Sequence, residues 1–127
     1  MGKDENILIF AEQENGEIHQ VAYELLGKGR ELADRLRAQL NAVLLGWQIE
    51  NKASELIYRG ADNVFIYDHP SLHDFDVIRY GRNIVKLVKE TRPDIFLIGA
   101  TRIGRTLAPR IAAALGTGLT ADCIDLD

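Results

Sequence analysis

Four short apolar runs lie along the chain, each long enough for a buried β-strand. They are rich in Ile, Val, Leu and Phe, are bounded by polar residues or glycine, and show no clean alternation of apolar and polar positions. Continuous runs of this kind suit strands that are covered on both faces by helices. The runs are residues 7–11, 42–45, 64–67 and 95–98.

Longer segments between these runs carry apolar residues at helical spacing. One apolar stripe spans residues 19–40 and includes Leu32, Leu36 and Leu40, while most of the charged residues fall off it. The same pattern recurs over residues 76–91. It ends before Pro93, because the residue preceding a proline is disfavoured in the helical region.

Two shorter helices are predicted. The first covers residues 53–59, and Gly60 follows it as a C-terminal cap with a left-handed backbone. The second covers residues 106–115 and ends at Gly116. Pro109 is tolerable there only in the first turn, where its missing N–H has no partner to lose.

Strands and helices therefore alternate, and a last extended stretch covers residues 118–127. This order predicts an α/β domain built in layers, with right-handed crossovers and a mainly parallel sheet. We find no repeat and no linker, so the sequence predicts a single domain over residues 1–127. Because the last stretch is itself a predicted strand, we expect the chain to be truncated and to belong to a longer protein.

The composition is that of an ordinary folded protein: 46% of the 127 residues are hydrophobic and 27% are charged. The 15 Lys and Arg against 19 Asp and Glu give a net charge of −4 at pH 7. Without a basic block, this balance argues against nucleic acid as a partner. The first apolar run is too short for a signal peptide or a membrane span, so the sequence predicts a cytoplasmic protein without membrane insertion.

The candidate functional segment follows the fourth predicted strand, where Gly99, Thr101 and Gly104 lead into a helix. In an open α/β sheet, ligands bind at the carboxyl ends of the strands, and a helix N-terminus there offers N–H groups to an anion. The glycine spacing matches neither the dinucleotide fingerprint nor the P-loop. Gly99 and Gly104 are therefore as well explained by tight turns that need glycine as by a role in binding an anion.

Three arginines crowd the same segment. A cation at a helix N-terminus opposes the helix dipole, so its position calls for a compensating anion or a partner's carboxylate. Ordinary solvated arginines on a surface helix are the alternative. The candidate nucleotide or interface loop thus comprises Gly99, Thr101, Arg102, Gly104, Arg105 and Arg110.

The remaining polar residues predict neither a catalytic nor a metal site. His69 and His73 flank a Pro-containing segment whose spacing fits no metal motif, and Asp74 is instead expected to cap the next helix. Cys123 has no adjacent His or Lys to activate its thiol, which favours a packing role.

Several segments of this sequence resemble one known family, the N-terminal domain of electron transfer flavoprotein alpha subunits. The resemblance runs from about residue 6 to the end and is most specific over residues 99–123. The matching segments are ILIFAE (7–12), LLGKGRELA (25–33), PDIFLIGAT (93–101), GRTLAPRIAA (104–113) and TGLTADC (117–123).

The resemblance implies a Rossmann-like domain of the adenine nucleotide alpha hydrolase-like type, in one half of an alpha-beta heterodimer. Members of the family carry electrons from flavin-dependent dehydrogenases, acyl-CoA dehydrogenases among them, to an acceptor, and one branch splits the electrons of NADH between two acceptors. Their FAD is held mainly by the C-terminal domain of the alpha subunit, through a Ser-Arg-Gly-type motif that these residues do not include. The beta subunit holds AMP or a second FAD. We therefore assign no flavin-binding residue.

On this resemblance, residues 101–110 form a subunit interface or, in a bifurcating homologue, part of the wall near NADH. A free-standing adenine-nucleotide-binding regulator of the universal-stress type is the alternative. The phosphate loop of that family has a Gly-x-x-Gly spacing that Gly99 and Gly104 do not reproduce. A third possibility, a small hydrolase or transferase, finds no support, because the sequence offers no nucleophile paired with a base. The sequence therefore predicts an electron carrier subunit, not an enzyme.

Overall fold

The computed structural model describes residues 5–115 and 121–124, with the side chains of residues 5–114. Two short 3₁₀ helices, Glu50–Lys52 and Pro70–Leu72, accompany the main elements. The strands and α-helices of the described residues are β1 (Asn6–Phe10), β2 (Gln13–Glu14), β3 (Glu17–Ile18), α1 (Gln20–Leu36), β4 (Gln39–Gly46), α2 (Ala53–Tyr58), β5 (Asn63–Asp68), α3 (Val77–Thr91), β6 (Ile95–Gly99), α4 (Arg102–Leu115) and β7 (Ala121–Ile124).

Five parallel strands form one sheet in the order β5-β4-β1-β6-β7. The central strand β1 pairs on both sides, so that Ile7 lies opposite Leu40 on β4 and opposite Ile95 on β6. The chain first moves outward from β1 to β5 and then returns to build β6 and β7 on the other side. The topological switch point therefore lies between β1 and β6, where open α/β sheets bind their ligands.

Helices cover both faces of the sheet and complete a three-layer arrangement. Ile7 and Ile9 of β1 pack with α1 and α2, while Leu8 and Phe10 of the same strand pack with α3 and α4. All four side chains are at least 98% buried. Burial on both faces explains why the strand sequences do not alternate. The predicted α/β fold with a mainly parallel sheet is confirmed.

The first helix is shorter than its apolar stripe. Helix α1 ends at Leu36, Arg37 adopts a left-handed φ of 57°, and Leu40 lies in β4 instead of the predicted helix. Leucines at positions 32, 36 and 40 continue the helical period into the strand, so periodicity alone placed the helix end four residues too late. Gly60 does follow α2, with a φ of 122°.

Two helix starts also differ from their predictions. Asp76, not Asp74, caps α3, because its Oδ1 accepts hydrogen bonds from the N–H groups of Ile78 and Arg79. Helix α4 begins at Arg102, four residues before the predicted start, so Pro109 lies inside the helix and not in its first turn.

At the carboxyl end of the chain, strand β7 pairs with β6 and covers part of the extended stretch predicted over residues 118–127. The rest of that stretch and Gly116 lie outside the described residues. Cys123 belongs to β7, but its side chain is not among those described. Within the described part of the chain, no helix is long and apolar enough to cross a bilayer.

Candidate functional site

A crevice opens at the switch point, beyond the carboxyl ends of β1 and β6. Its volume is about 430 Å³. The predicted residues Thr101 and Arg102 form one wall, and a loop that precedes α3 forms the opposite wall. The remaining lining residues are Glu12, Gln13, Glu14, Asn15, His19, His73, Asp74, Phe75 and Ile103.

A small hairpin that the sequence analysis missed supplies several of these side chains. Strands β2 and β3 pair antiparallel across Asn15 and Gly16, whose φ angles of 53° and 84° identify a type I′ turn. An Asn-Gly pair is the strongest short-range hairpin signal in a sequence, so this element could have been predicted. The hairpin carries Gln13, Glu14 and Asn15 to the mouth of the crevice.

Glu12 and Thr101 form the central contact of the crevice. Glu12 is only 6% exposed, and its Oε1 accepts a hydrogen bond of 2.6 Å from the Thr101 hydroxyl. The same hydroxyl oxygen accepts the N–H of Gly104 at 3.0 Å, so Thr101 is the N-cap of α4. A buried carboxylate of the protein is thereby coupled to the N-terminus of α4, the place where an α/β domain can hold an external anion.

The two loop glycines serve close packing. Gly99 is the last residue of β6, Gly104 lies in the first turn of α4, and neither has a positive φ, so the interpretation as turn glycines is wrong. A Cβ on Gly99 would lie 2.5 Å from Cγ2 of Val21, and a Cβ on Gly104 would overlap the carbonyl oxygen of Gly99. The absence of these side chains lets α1 and α4 approach the end of β6.

The structure separates the three arginines of the candidate loop. Arg102 lines the crevice, and Arg105 is exposed in the first turn of α4. Arg110 lies farther along the helix, where its Cδ is 3.5 Å from the position that a Cβ on Gly81 would occupy. The expectation that Arg110 lies at the helix start is therefore wrong, because α4 begins earlier than predicted.

A buried polar network supports the crevice from below. The Gln13 side-chain amide donates hydrogen bonds to the carbonyl of Leu45 at 2.9 Å and to the Tyr80 hydroxyl at 3.3 Å. Tyr80 in turn donates to the carbonyl of Leu72 at 2.7 Å, and Phe75 packs edge-on against its ring. Burial raises the pKa of Tyr80 to about 12, so the hydroxyl stays a hydrogen-bond donor at neutral pH.

The histidines each have a local structural contact. His19 caps α1, since its Nδ1 accepts the N–H of Val21 at 3.0 Å, and His69 accepts the N–H of Ser71 in the same way. Nδ1 of His73 lies 3.1 Å from Oδ1 of Asp74. Among the residues described, no group of three or more His, Cys, Asp or Glu side chains is placed to hold a metal ion.

The charges of the crevice are predominantly negative. The carboxylates of Glu12, Glu14 and Asp74 line it, and among the residues that the structure describes Arg102 is the only lysine or arginine in its wall. This arrangement repels a polyphosphate, because like charges at close range in a crevice are costly. The side chains of its walls are suited to joining the strand ends, the hairpin and the helix.

Solved structures show the same fold in a distant protein. A universal stress protein from Archaeoglobus fulgidus superimposes with a TM-score of 0.61 and 16% identity, covering 94% of this chain and 98% of that one. At this identity the similarity concerns the fold alone. It agrees with the predicted Rossmann-like class.

Curated relatives with much higher identity carry electron-transfer names. An electron transfer flavoprotein subunit alpha from Thermoanaerobacterium thermosaccharolyticum is 49% identical over all 127 residues of this chain, which spans 38% of that protein. A lactate dehydrogenase (NAD(+),ferredoxin) subunit LctC from Acetobacterium woodii is 43% identical over 121 residues, and this chain spans 29% of it. The family described as "Electron transfer flavoprotein domain" matches residues 7–127. The chain therefore belongs to the electron transfer flavoprotein family.

Proposed function

We propose that this chain is part of an electron transfer flavoprotein alpha subunit. In this proposal the whole protein pairs with a beta subunit and passes electrons between a flavin-dependent dehydrogenase and an acceptor. The observation that carries the proposal is the 49% identity to a named alpha subunit along the entire chain. The protein is then a carrier of electrons and not an enzyme with its own substrate.

The geometry of the crevice supports a scaffolding role for these residues. At the start of α4, where an external anion would bind, Thr101 accepts the Gly104 N–H and donates its hydroxyl to the protein's own carboxylate, Glu12. Contacts of Glu12 therefore connect the end of β1 to the residue after the hairpin and to the start of α4. The crevice does not offer an open phosphate site. This feature speaks against the universal-stress type of nucleotide regulator, although the fold is shared.

The cofactor of the whole protein, in this proposal, is FAD bound mainly outside these residues. NADH or AMP would bind in the assembled complex. The name of the Acetobacterium woodii relative mentions both NAD(+) and ferredoxin, which supports testing for NADH-driven bifurcation. A cytoplasmic location stays a prediction from the sequence.

Arg102 and Arg105 are the residues of this chain that we propose for the beta-subunit interface. Both are exposed next to the crevice, and neither forms an ion pair within the described residues. Their charges oppose the dipole of α4, so a carboxylate from a partner subunit would be favourable there.

The test is to co-express the full-length alpha subunit with its beta subunit and to record visible spectra before and after reduction by an acyl-CoA dehydrogenase. We expect flavin absorbance in a heterodimer and bleaching on reduction. Arg105→Ala should weaken the heterodimer, whereas Lys28→Ala, an exposed change on α1, should not. A flavin-free protein that binds ATP in calorimetry would refute the proposal and favour the nucleotide regulator.

A further inference from the structure

One helical layer of the protein is strongly basic although the whole chain is acidic. Helices α3 and α4 together carry seven Lys or Arg residues and one Glu, while the chain has a net charge of −4. All seven basic side chains are exposed. Arg102 and Arg105 belong to the proposed beta-subunit interface. The other five residues, which we call the basic face, are Arg79, Arg82, Lys86, Lys89 and Arg110.

The opposite layer provides an internal comparison. Helix α1 carries three basic and three acidic residues, so its charges balance. The excess of positive charge is thus confined to one side of the sheet. The overall net charge and composition do not reveal this positive excess, because the chain outside α3 and α4 holds eight basic and eighteen acidic residues.

A groove between α3 and α4 lies within the basic face. Its volume is about 230 Å³. Ile78, Gly81 and Val85 line it from α3 at helical spacing, and Ala114 lines it from α4. Ile78 is 49% exposed, Ala114 has a small side chain, and the side chain of Arg110 packs over Gly81. The groove therefore offers a small apolar strip that a protruding aliphatic side chain can cover.

Two guanidinium groups border this strip. Arg82 on α3 and Arg110 on α4 both line the groove. Within the described residues neither forms an ion pair, and the one ion pair on this face joins Arg79 to Asp76 at 3.8 Å. Guanidinium groups bind carboxylates through paired hydrogen bonds, so Arg82 and Arg110 are available to carboxylates that flank an apolar anchor.

We propose that the basic face docks the acidic surface of a redox partner protein, with the α3–α4 groove as its centre. The inference rests on the proposed function, since it names the chemistry of a protein with which the carrier exchanges electrons. Permanent subunit interfaces are predominantly apolar, whereas complementary charges with little apolar area are typical of transient, electrostatically steered encounters. The basic face, with one half-exposed Ile among five basic residues, is of the second kind.

Other polyanions fit the face less well. A nucleic acid that extends past this helical layer would meet the acidic remainder of the chain. Stable binding to a membrane needs a broad apolar face to insert beside the basic residues, whereas this face exposes only part of Ile78. Single-strand binding also uses aromatic platforms among basic residues. Among the described residues, no aromatic side chain lines the α3–α4 groove.

The test uses the purified full-length complex and a synthetic amphipathic peptide of about 20 residues, with Leu on one face and Glu beside it. The same peptide with Lys in place of Glu is the control ligand. We expect the acidic peptide to bind at low salt and to lose about tenfold in affinity between about 20 and 200 mM NaCl. Arg82→Glu/Arg110→Glu should reduce binding at least about tenfold, and the matched reversal Lys28→Glu/Arg35→Glu on α1 should leave it unchanged.

Three results would overturn the proposal. These are equal binding of the acidic and basic peptides, equal effects of the two double reversals, and stronger binding to phosphatidylserine vesicles than to the acidic peptide. Flavin content and co-purification of the beta subunit are measured on the same preparations. A complex without flavin or beta subunit contradicts the proposed function, whereas a loaded complex whose peptide binding ignores Arg82→Glu/Arg110→Glu contradicts this inference alone.

Discussion

The contact between Glu12 and Thr101 should be energetically important, and Thr101→Val tests it. Valine keeps the shape of the side chain but removes the hydroxyl that donates to Glu12 at 2.6 Å and accepts the N–H of Gly104 at 3.0 Å. The loss of a helix N-cap costs about 1 kcal/mol, and the loss of a hydrogen bond to a charged group costs about 1.5–3 kcal/mol.

The expected effect is smaller than the sum of these costs, because Thr101 is only half-buried and water can reach part of the site. We expect Thr101→Val to lower the free energy of unfolding by about 2 kcal/mol. For a domain of this size, this corresponds to a fall in Tm of about 6–10 °C. The measurement is urea unfolding followed by circular dichroism, with an unchanged dependence of the free energy on urea concentration.

Thr101→Ser is the matched control, since serine keeps both hydrogen bonds. It should cost less than about 0.5 kcal/mol. The double-mutant cycle with Glu12→Gln isolates the charge of the carboxylate, and we expect the two changes to be non-additive by more than about 0.5 kcal/mol. The reasoning is refuted if Thr101→Val unfolds at the same urea concentration as Thr101→Ser, or if the cycle is additive.

Two further predictions concern helix packing and pH. Gly104→Ala should destabilise the chain by about 1–3 kcal/mol, because the new Cβ overlaps the Gly99 carbonyl, whereas Gly27→Ala, with nothing within 4 Å, should stabilise it by about 0.5–1 kcal/mol in the same urea experiment. A stabilising Gly104→Ala would disprove the packing argument. The hydrogen bond from the Arg79 N–H, helped by that from Ile78, holds the pKa of Asp76 below its ordinary value of 3.8. Its cap is therefore fully stabilising above that value and weakens as the pH falls towards the folded-state pKa. Asp76→Ala should lower the Tm at pH 7. Thermal scans at decreasing pH should show that the Tm difference between this variant and the unchanged chain shrinks below pH 3.8. A Tm difference that stays constant with pH would contradict the capping geometry.

The fold could be predicted well because a buried parallel sheet leaves a strong pattern. Strands covered on both faces need continuous apolar runs, and the runs at residues 7–11 and 95–98 coincide closely with β1 and β6. Element ends were harder to place. Strand β4 extends over Gln39–Gly46, beyond the predicted 42–45, because the apolar pattern of α1 continues into its first residues.

The site could be predicted only in part. The segment around Thr101 was identified correctly as the carboxyl end of a central strand, since that position follows from the order of elements. Its main partner, Glu12, lies 89 residues earlier in the chain, and no local pattern connects the two. The hairpin had a local signal in Asn15 and Gly16, so its omission was an error of interpretation and not a limit of the sequence.

The arginines of α4 illustrate how one shifted helix boundary changes a functional interpretation. With the helix starting at Arg102, both Arg102 and Arg105 oppose the dipole in its first turn, at a cost of about 0.3–1 kcal/mol each. The Glu12 carboxylate, coupled to the same turn through Thr101, offsets part of this cost without any external anion. The crevice and the positive charge of α4 are therefore linked. A buried acid in the crevice secures the start of a helix whose exposed side can then remain positively charged, towards a partner that supplies the opposite charge.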